Sequence, residues 1–160
     1  MTGKDCCDIH IRINSQNIDM NCIFCDILSG KIPASFVYRD ERVAAFMDVQ
    51  PVNAGHILVV PVSHAVGMGD LAEEDGAAVF LTAQRVARAL KKSGLRCEGV
   101  NLFLADGEAA MQEVFHVHLH VFPRFPGDGF GLKFPEAYNQ KPARAMLDAA
   151  AAAIRVALNN

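Results

Sequence analysis

Phe115-His116-Val117-His118-Leu119-His120-Val121-Phe122 sets a histidine at every second position between apolar residues. A period of two belongs to an extended strand, whose side chains point to opposite faces in turn. The stretch predicts a strand over Val114–Phe122, with His116, His118 and His120 on one face and Val117, Leu119 and Val121 turned into a core. Neighbouring imidazoles on that face stand roughly 7 Å apart, from a rise of about 3.3 Å per residue. Half of the chain's six histidines lie here. A face that only meets water is more commonly built from Thr, Lys, Glu or Ser. The row of imidazoles leaves two chemical readings: metal ligation, or catalysis by a ring that is largely neutral and nucleophilic at pH 7.

The sequence on either side reads as sheet and helix. Phe24–Leu28 is a short helix stopped at Ser29-Gly30. Ser35–Arg39 and Val43–Asp48 are strands that turn at Asp40-Glu41, and His56–Pro61 is an apolar strand after a loop marked by Pro51 and Gly55. Residues 71–93 form the main helix, with Val79, Ala83, Val86 and Leu90 on one face and Gly94 at its end. Gly99–Leu104 is a further strand, and Pro142 opens a C-terminal helix to about Leu158. The expected class is α+β, an antiparallel sheet with covering helices. The expected division is an extension over 1–20, a domain over 21–135 and a helical segment over 136–160.

Composition narrows the possible partners. The 160 residues are 51% hydrophobic and 21% charged, with a net charge of -3, a globular balance. There is no basic field for a nucleic acid polymer. No run reaches the roughly 18 apolar residues of a membrane span, and residues 1–20 lack the apolar core of a signal peptide. The expected location is the cytoplasm. Five cysteines, an odd number, argue against a complete disulfide framework. Cys22 and Cys25 form a C-x-x-C pair suited to metal or redox chemistry, whereas Cys6, Cys7, Cys97 and His10 have no evident partner.

The triad and its surroundings resemble the histidine-triad (HIT) superfamily. Besides His-x-His-x-His, the chain carries Cys22-Ile23-Phe24-Cys25-Asp26-Ile27, Lys31-Ile32-Pro33, Ala45-Phe46-Met47-Asp48, Gly55-His56-Ile57-Leu58-Val59-Val60-Pro61 and Gln112, in the family's order over about residues 21–130. The resemblance implies a five-stranded antiparallel sheet with two helices, joined to a partner sheet in a homodimer.

It also implies nucleotide chemistry. His118 would attack the α-phosphorus of a nucleotide, and water would release a nucleoside monophosphate from the nucleotidyl-histidine. His120, His56 and Gln112 would serve the phosphoryl group. Asp48 would take the ribose hydroxyls, and Phe46, Ile23, Phe24, Ile27, Ile32 and Val49 would enclose a base, preferably a purine. The expected substrates are dinucleoside polyphosphates or nucleoside phosphoramidates. Nucleotidyl transfer or phosphorolysis stays open, as does a non-catalytic nucleotide-binding scaffold; His120, where the uridylyltransferase branch has Gln, favours hydrolysis. The chain departs from the family at Ala105, often Asn or Gln, and at Met111, commonly Gly. By the same resemblance Cys22, Cys25, His64 and His116 form a complete Cys₂His₂ set for a structural Zn²⁺. Arg124 either approaches the substrate phosphates or caps the end of its strand.

Overall fold

A computed structural model describes residues 22–159. The extension read over 1–20, with Cys6, Cys7 and His10, lies outside the described residues. The chain divides into two compact units, one ending at Asp128 and one beginning at Gly129.

The first unit opens with α1 (Ile23–Leu28). A six-residue helix is too short to persist alone, and this one is held by Phe24, Ile27 and Leu28, which are buried. Strands β1 (Phe36–Arg39) and β2 (Val43–Met47) follow as a hairpin. Its turn is set by Asp40, whose carboxylate accepts the N–H groups of Arg42 and Val43 at 2.9 and 2.8 Å. Next come β3 (Ile57–Pro61), α2 (Glu73–Leu90), β4 (Gly99–Leu104) and β5 (Leu119–Arg124). The sheet is antiparallel throughout, in the order β1-β2-β3-β5-β4.

Alternation along the strands divides the core between the two faces of the sheet. Val43, Ala45, Ile57, Val59, Leu119 and Val121 pack with Val79, Ala83, Val86 and Leu90 of α2. On the other face Ala44, Phe46, Leu58 and Val60 pack with Cys22, Phe24, Ile27 and Leu28. His120 lies opposite Leu58 in the ladder, so it belongs to the α1 face.

Two elements differ from the sequence reading by more than two residues at one end. The strand expected over Val114–Phe122 joins the ladder only at Leu119 and runs on to Arg124. Before it, the Val117 N–H is given to Ala65 O and the His116 N–H to Val114 O, both at 2.8 Å. His116 and His118 therefore precede the strand proper, on backbone bonded to the segment after β3. The main helix is also shorter than 71–93, because Leu71 and Ala72 are extended and Lys91 caps the last turn.

Gly55 fixes the approach to β3. Its φ is +99°, and an added Cβ would lie 2.9 Å from Leu95 Cδ1 and 3.0 Å from Leu90 Cδ2. Gly55→Ala is expected to destabilise the protein by about 1–3 kcal/mol through backbone strain and crowding, measured as a lower urea midpoint at unchanged m-value.

In the second unit a 3-10 turn at Glu136–Asn139 precedes α3 (Arg144–Leu158). No residue of α3 is buried, and Met146, Leu147, Ile154, Val156 and Leu158 are exposed. No described helix is long and apolar enough to cross a membrane.

Candidate active site and metal centre

Three imidazoles converge on the α1 face from β5, its leading segment and the end of loop 48–56. His56 Nε2 lies 2.9 Å from His120 Nδ1, and the His118 and His120 ring centroids are 4.9 Å apart. This is closer than the spacing of an ideal strand, because the backbone at His118 has not yet joined the ladder. The edge of Phe24 covers His118 at a centroid distance of 5.1 Å.

Fixed partners define the protons on these rings. His118 Nδ1 lies 2.7 Å from the His116 carbonyl oxygen. A carbonyl only accepts, so Nδ1 carries the hydrogen and Nε2 keeps its lone pair. The Val52 N–H donates to His56 Nδ1 at 3.1 Å. His56 therefore carries its proton on Nε2 and donates to His120 Nδ1, which leaves the His120 hydrogen on Nε2.

Asp48 stands beside this pair, with Oδ2 3.5 Å from His56 Nε2 and 3.8 Å from His120 Nδ1. Its Oδ1 accepts the Gln50 N–H at 2.8 Å. Burial lowers the pKa of His56 against the opposing pull of Asp48. Burial, aided by His118 and His56, pushes His120 down to about 4, again against Asp48. Both rings are thus neutral at pH 7, as their mutual hydrogen bond requires. The unfolded chain, with histidines near pKa 6.5, binds protons that the folded one refuses. Stability is therefore expected to fall as pH drops below about 6.5, at up to about 1.4 kcal/mol per pH unit for each such ring. For His120 the loss runs to about pH 4. Above pH 7 these rings contribute no slope; urea midpoints at successive pH values read the effect.

Gln112 is buried, and its amide is engaged by the main chain. Oε1 accepts the Gly107 N–H at 2.7 Å, while Nε2 donates to Val66 O at 2.7 Å and Val114 O at 3.2 Å. In this arrangement it organises the loop before the triad. Met111 occupies the left-handed region with φ 70°, a conformation glycine adopts more readily. Ala105 is buried. Arg124 is paired with Asp128, its Nε 2.5 Å from Oδ2 and a terminal nitrogen 2.9 Å from Oδ1.

Of the expected base-enclosing residues, Phe24, Ile27 and Phe46 share one buried cluster and Ile32 packs against it. Phe24 and Phe46 meet edge to face at 5.7 Å. Ile23 and Val49 are exposed. The sequence reading missed Asn53 and Asp128. Asn53 Nδ2 donates to Pro123 O at 2.9 Å and to Asp128 Oδ2 at 3.0 Å. Its position in the Pro51-Val52-Asn53-Ala54-Gly55 turn was the available signal.

A second cluster unites Cys22, Cys25, His64 and His116. His116 Nδ1 lies 3.5 Å from Cys22 Sγ, 3.7 Å from Cys25 Sγ and 3.2 Å from His64 Nδ1, and Cys25 Sγ is 3.4 Å from His64 Nδ1. Zinc bonds of about 2.3 Å to sulfur and about 2.0 Å to nitrogen give tetrahedral edges of about 3.5 Å for S–N and about 3.3 Å for N–N. The four donors fit such an ion. His116 is prepared for it: Nε2 faces Pro61 O at 3.0 Å, which assigns the proton there and frees Nδ1. This is the outer-sphere hydrogen bond characteristic of metal-bound histidine. His116 thus turns its ring to this cluster and its carbonyl to His118.

A model of the HIT domain matches residues 29–127. The chain belongs to the HIT family. An uncharacterised HIT-like protein of Methanocaldococcus jannaschii is 42% identical over 118 residues, covering 74% of this chain and 90% of the relative. A crystal structure from Streptococcus mutans is 34% identical with a TM-score of 0.80, covering 91% of this chain and 89% of that one. A zinc-bound histidine triad family protein from Mycobacterium smegmatis is 39% identical with a TM-score of 0.67, covering 82% and 98%. The five-stranded antiparallel sheet with its helices is the HIT fold. Members of the HIT family are commonly nucleotide hydrolases or transferases.

Proposed function

We propose that this HIT protein hydrolyses dinucleoside polyphosphates or nucleoside phosphoramidates at the α-phosphorus. The observation that carries the reading is the His118 ring, whose Nδ1 is tied to the His116 carbonyl at 2.7 Å, leaving Nε2 as a fixed nucleophile beside a second imidazole. The Nε2 lone pair forms a bond to the α-phosphorus while the bond to the leaving group breaks. A polyphosphate departs as an oxyanion with the bonding pair; an amine leaving group takes its proton from solvent. Water then adds its oxygen to phosphorus, the P–N pair returns to Nε2, and the water's proton goes to bulk. The products are a nucleoside monophosphate and the original ring, the usual economy of covalent catalysis. His120 Nε2–H supplies a hydrogen bond to the phosphoryl oxygens as charge develops.

Asp48 receives the ribose hydroxyls, and the apolar cluster of Phe24, Ile27, Ile32 and Phe46 takes a purine, with Ile23 and Val49 at its rim. Gln112 holds the 107–112 loop beside the triad through Gly107, Val66 and Val114. Cys22, Cys25, His64 and His116 hold a structural zinc, with no ligand position left for chemistry. The edge strands β1 and β4 and the exposed Phe80, Leu81 and Leu102 support assembly as a homodimer. Paired thiols kept for a metal suit a reducing compartment, which supports a cytoplasmic location.

The test is to incubate the purified protein with diadenosine tetraphosphate and, separately, with adenosine phosphoramidate. AMP release is followed, and protein–AMP adduct is trapped for intact mass. AMP release with an adduct supports the reading. Binding of AMP with no turnover of either substrate would move the assignment to transfer to another acceptor or to a nucleotide-binding scaffold.

A further inference from the structure

Loop 48–56 carries Asp48 and His56 to the site and is tied at several points. The Asp48 N–H donates to His56 O at 3.0 Å, which closes the loop at its base, and the His56 N–H donates to Asn53 O at 3.0 Å. The Asn53 side chain attaches the loop to a rigid support through Pro123 O at 2.9 Å and Asp128 Oδ2 at 3.0 Å. Pro123 is fully buried on β5, opposite Val100 in the ladder. The Asp128 side chain is 3% exposed and is held by Arg124.

Asn53 thereby places the neighbouring Val52 amide against His56 Nδ1. A backbone N–H can only donate, so it dictates the tautomer of His56 and, through the 2.9 Å contact, that of His120. Asp48, His56 and His120 could alternatively be read as cation ligands. A shared tetrahedral ion would hold the two nitrogens about 3.3 Å apart with both lone pairs turned to it. The observed 2.9 Å is instead an N–H···N hydrogen-bond length.

We propose that Asn53 is a positioning residue. By pinning loop 48–56 it makes the Val52 amide set the proton positions of His56 and His120, so that His120 presents Nε2–H to the phosphoryl group. The importance of that tautomer for turnover rests on the hydrolase reading; the tautomer itself does not.

The test is a long-range ¹H–¹⁵N correlation spectrum of the full chain, labelled at histidine, at pH 7.5. The expected result is one tautomer for each ring, with Nδ1 bare and Nε2 protonated on both His56 and His120. A proton on Nδ1 of either ring, or metal-shifted signals from both, overturns the proposal. In Asn53→Ala the two rings are expected to show mixed tautomers. Its kcat should fall about tenfold, less than the roughly 10²–10³ lost when a transition-state donor is deleted outright, because part of the His120 population keeps its Nε2–H, with KM within about twofold and unchanged zinc content. Single tautomers retained in Asn53→Ala would overturn the role of Asn53. Should that variant fail to fold, the Val52 amide is replaced by an ester with α-hydroxyisovalerate, which deletes only the donor; the same mixing is expected, and single tautomers would again overturn the proposal. A wild-type protein with the expected spectrum but no turnover would defeat the hydrolase reading alone.

Discussion

In His118→Ala, AMP release from a turned-over substrate is expected to fall at least about a thousandfold, the scale seen when a covalent nucleophile is deleted. No other imidazole in the site can replace it. The His56 Nε2 hydrogen is directed to His120 Nδ1 at 2.9 Å, and His120 carries its own hydrogen on Nε2. His116 faces the cysteines. AMP affinity should change little, because Phe24, Phe46 and Asp48 are untouched. The protein–AMP adduct should vanish from the mass spectrum together with turnover. Activity persisting near wild type would place the nucleophile elsewhere and refute the mechanism.

Removing zinc is expected to have the largest effect on stability. The Cys22 and Cys25 donors lie at the start of the described chain, and His64 and His116 lie far along it. An ion among them ties α1 to the segment preceding β5. Structural zinc contributes its binding free energy to folding. A loss of about 4 kcal/mol on chelation would lower Tm by roughly 10–20 °C. Cys22→Ser should reproduce that loss and be insensitive to further chelator. Elemental analysis should find one zinc per chain in the wild type, with recovery of Tm on adding zinc back. A metal-free wild type whose Tm ignores chelator would refute the site. His118 should also respond to metal removal, since the His116 carbonyl orients it.

Much of this architecture is legible in the sequence, for identifiable reasons. Strands β2, β3 and β4 are short apolar runs between turn residues, and α2 repeats its apolar residues at helical spacing. Such patterns report local geometry directly. The alternation at 115–122 brings the His118 and His120 rings together, with centroids 4.9 Å apart, whereas His116 turns its ring to the cysteines. It cannot reveal that Val117 bonds to Ala65 rather than to a ladder partner, because hydrogen-bond partners are chosen by tertiary structure. The same limit hides Asn53, a polar residue in a turn whose acceptors lie 70 and 75 positions away. The apolar residues expected to enclose a base are harder still to sort. Phe24, Ile27 and Phe46 are core-like in any reading, and only the fold separates them from the exposed Ile23 and Val49.

The order β1-β2-β3-β5-β4 also bears on how the protein is made. Strands β1 to β3 are neighbours in sequence and in space, so they can pair early, as local contacts do. The strand that must lie between β3 and β4 is the last one synthesised. With it come His118, His120 and the segment bearing His116. A nascent chain that has not yet released residue 124 from the ribosome therefore has an open sheet, with His116, His118 and His120 not yet fixed beside Cys22, Cys25 and His56. Completion of the sheet and assembly of both histidine clusters fall at a single point in synthesis.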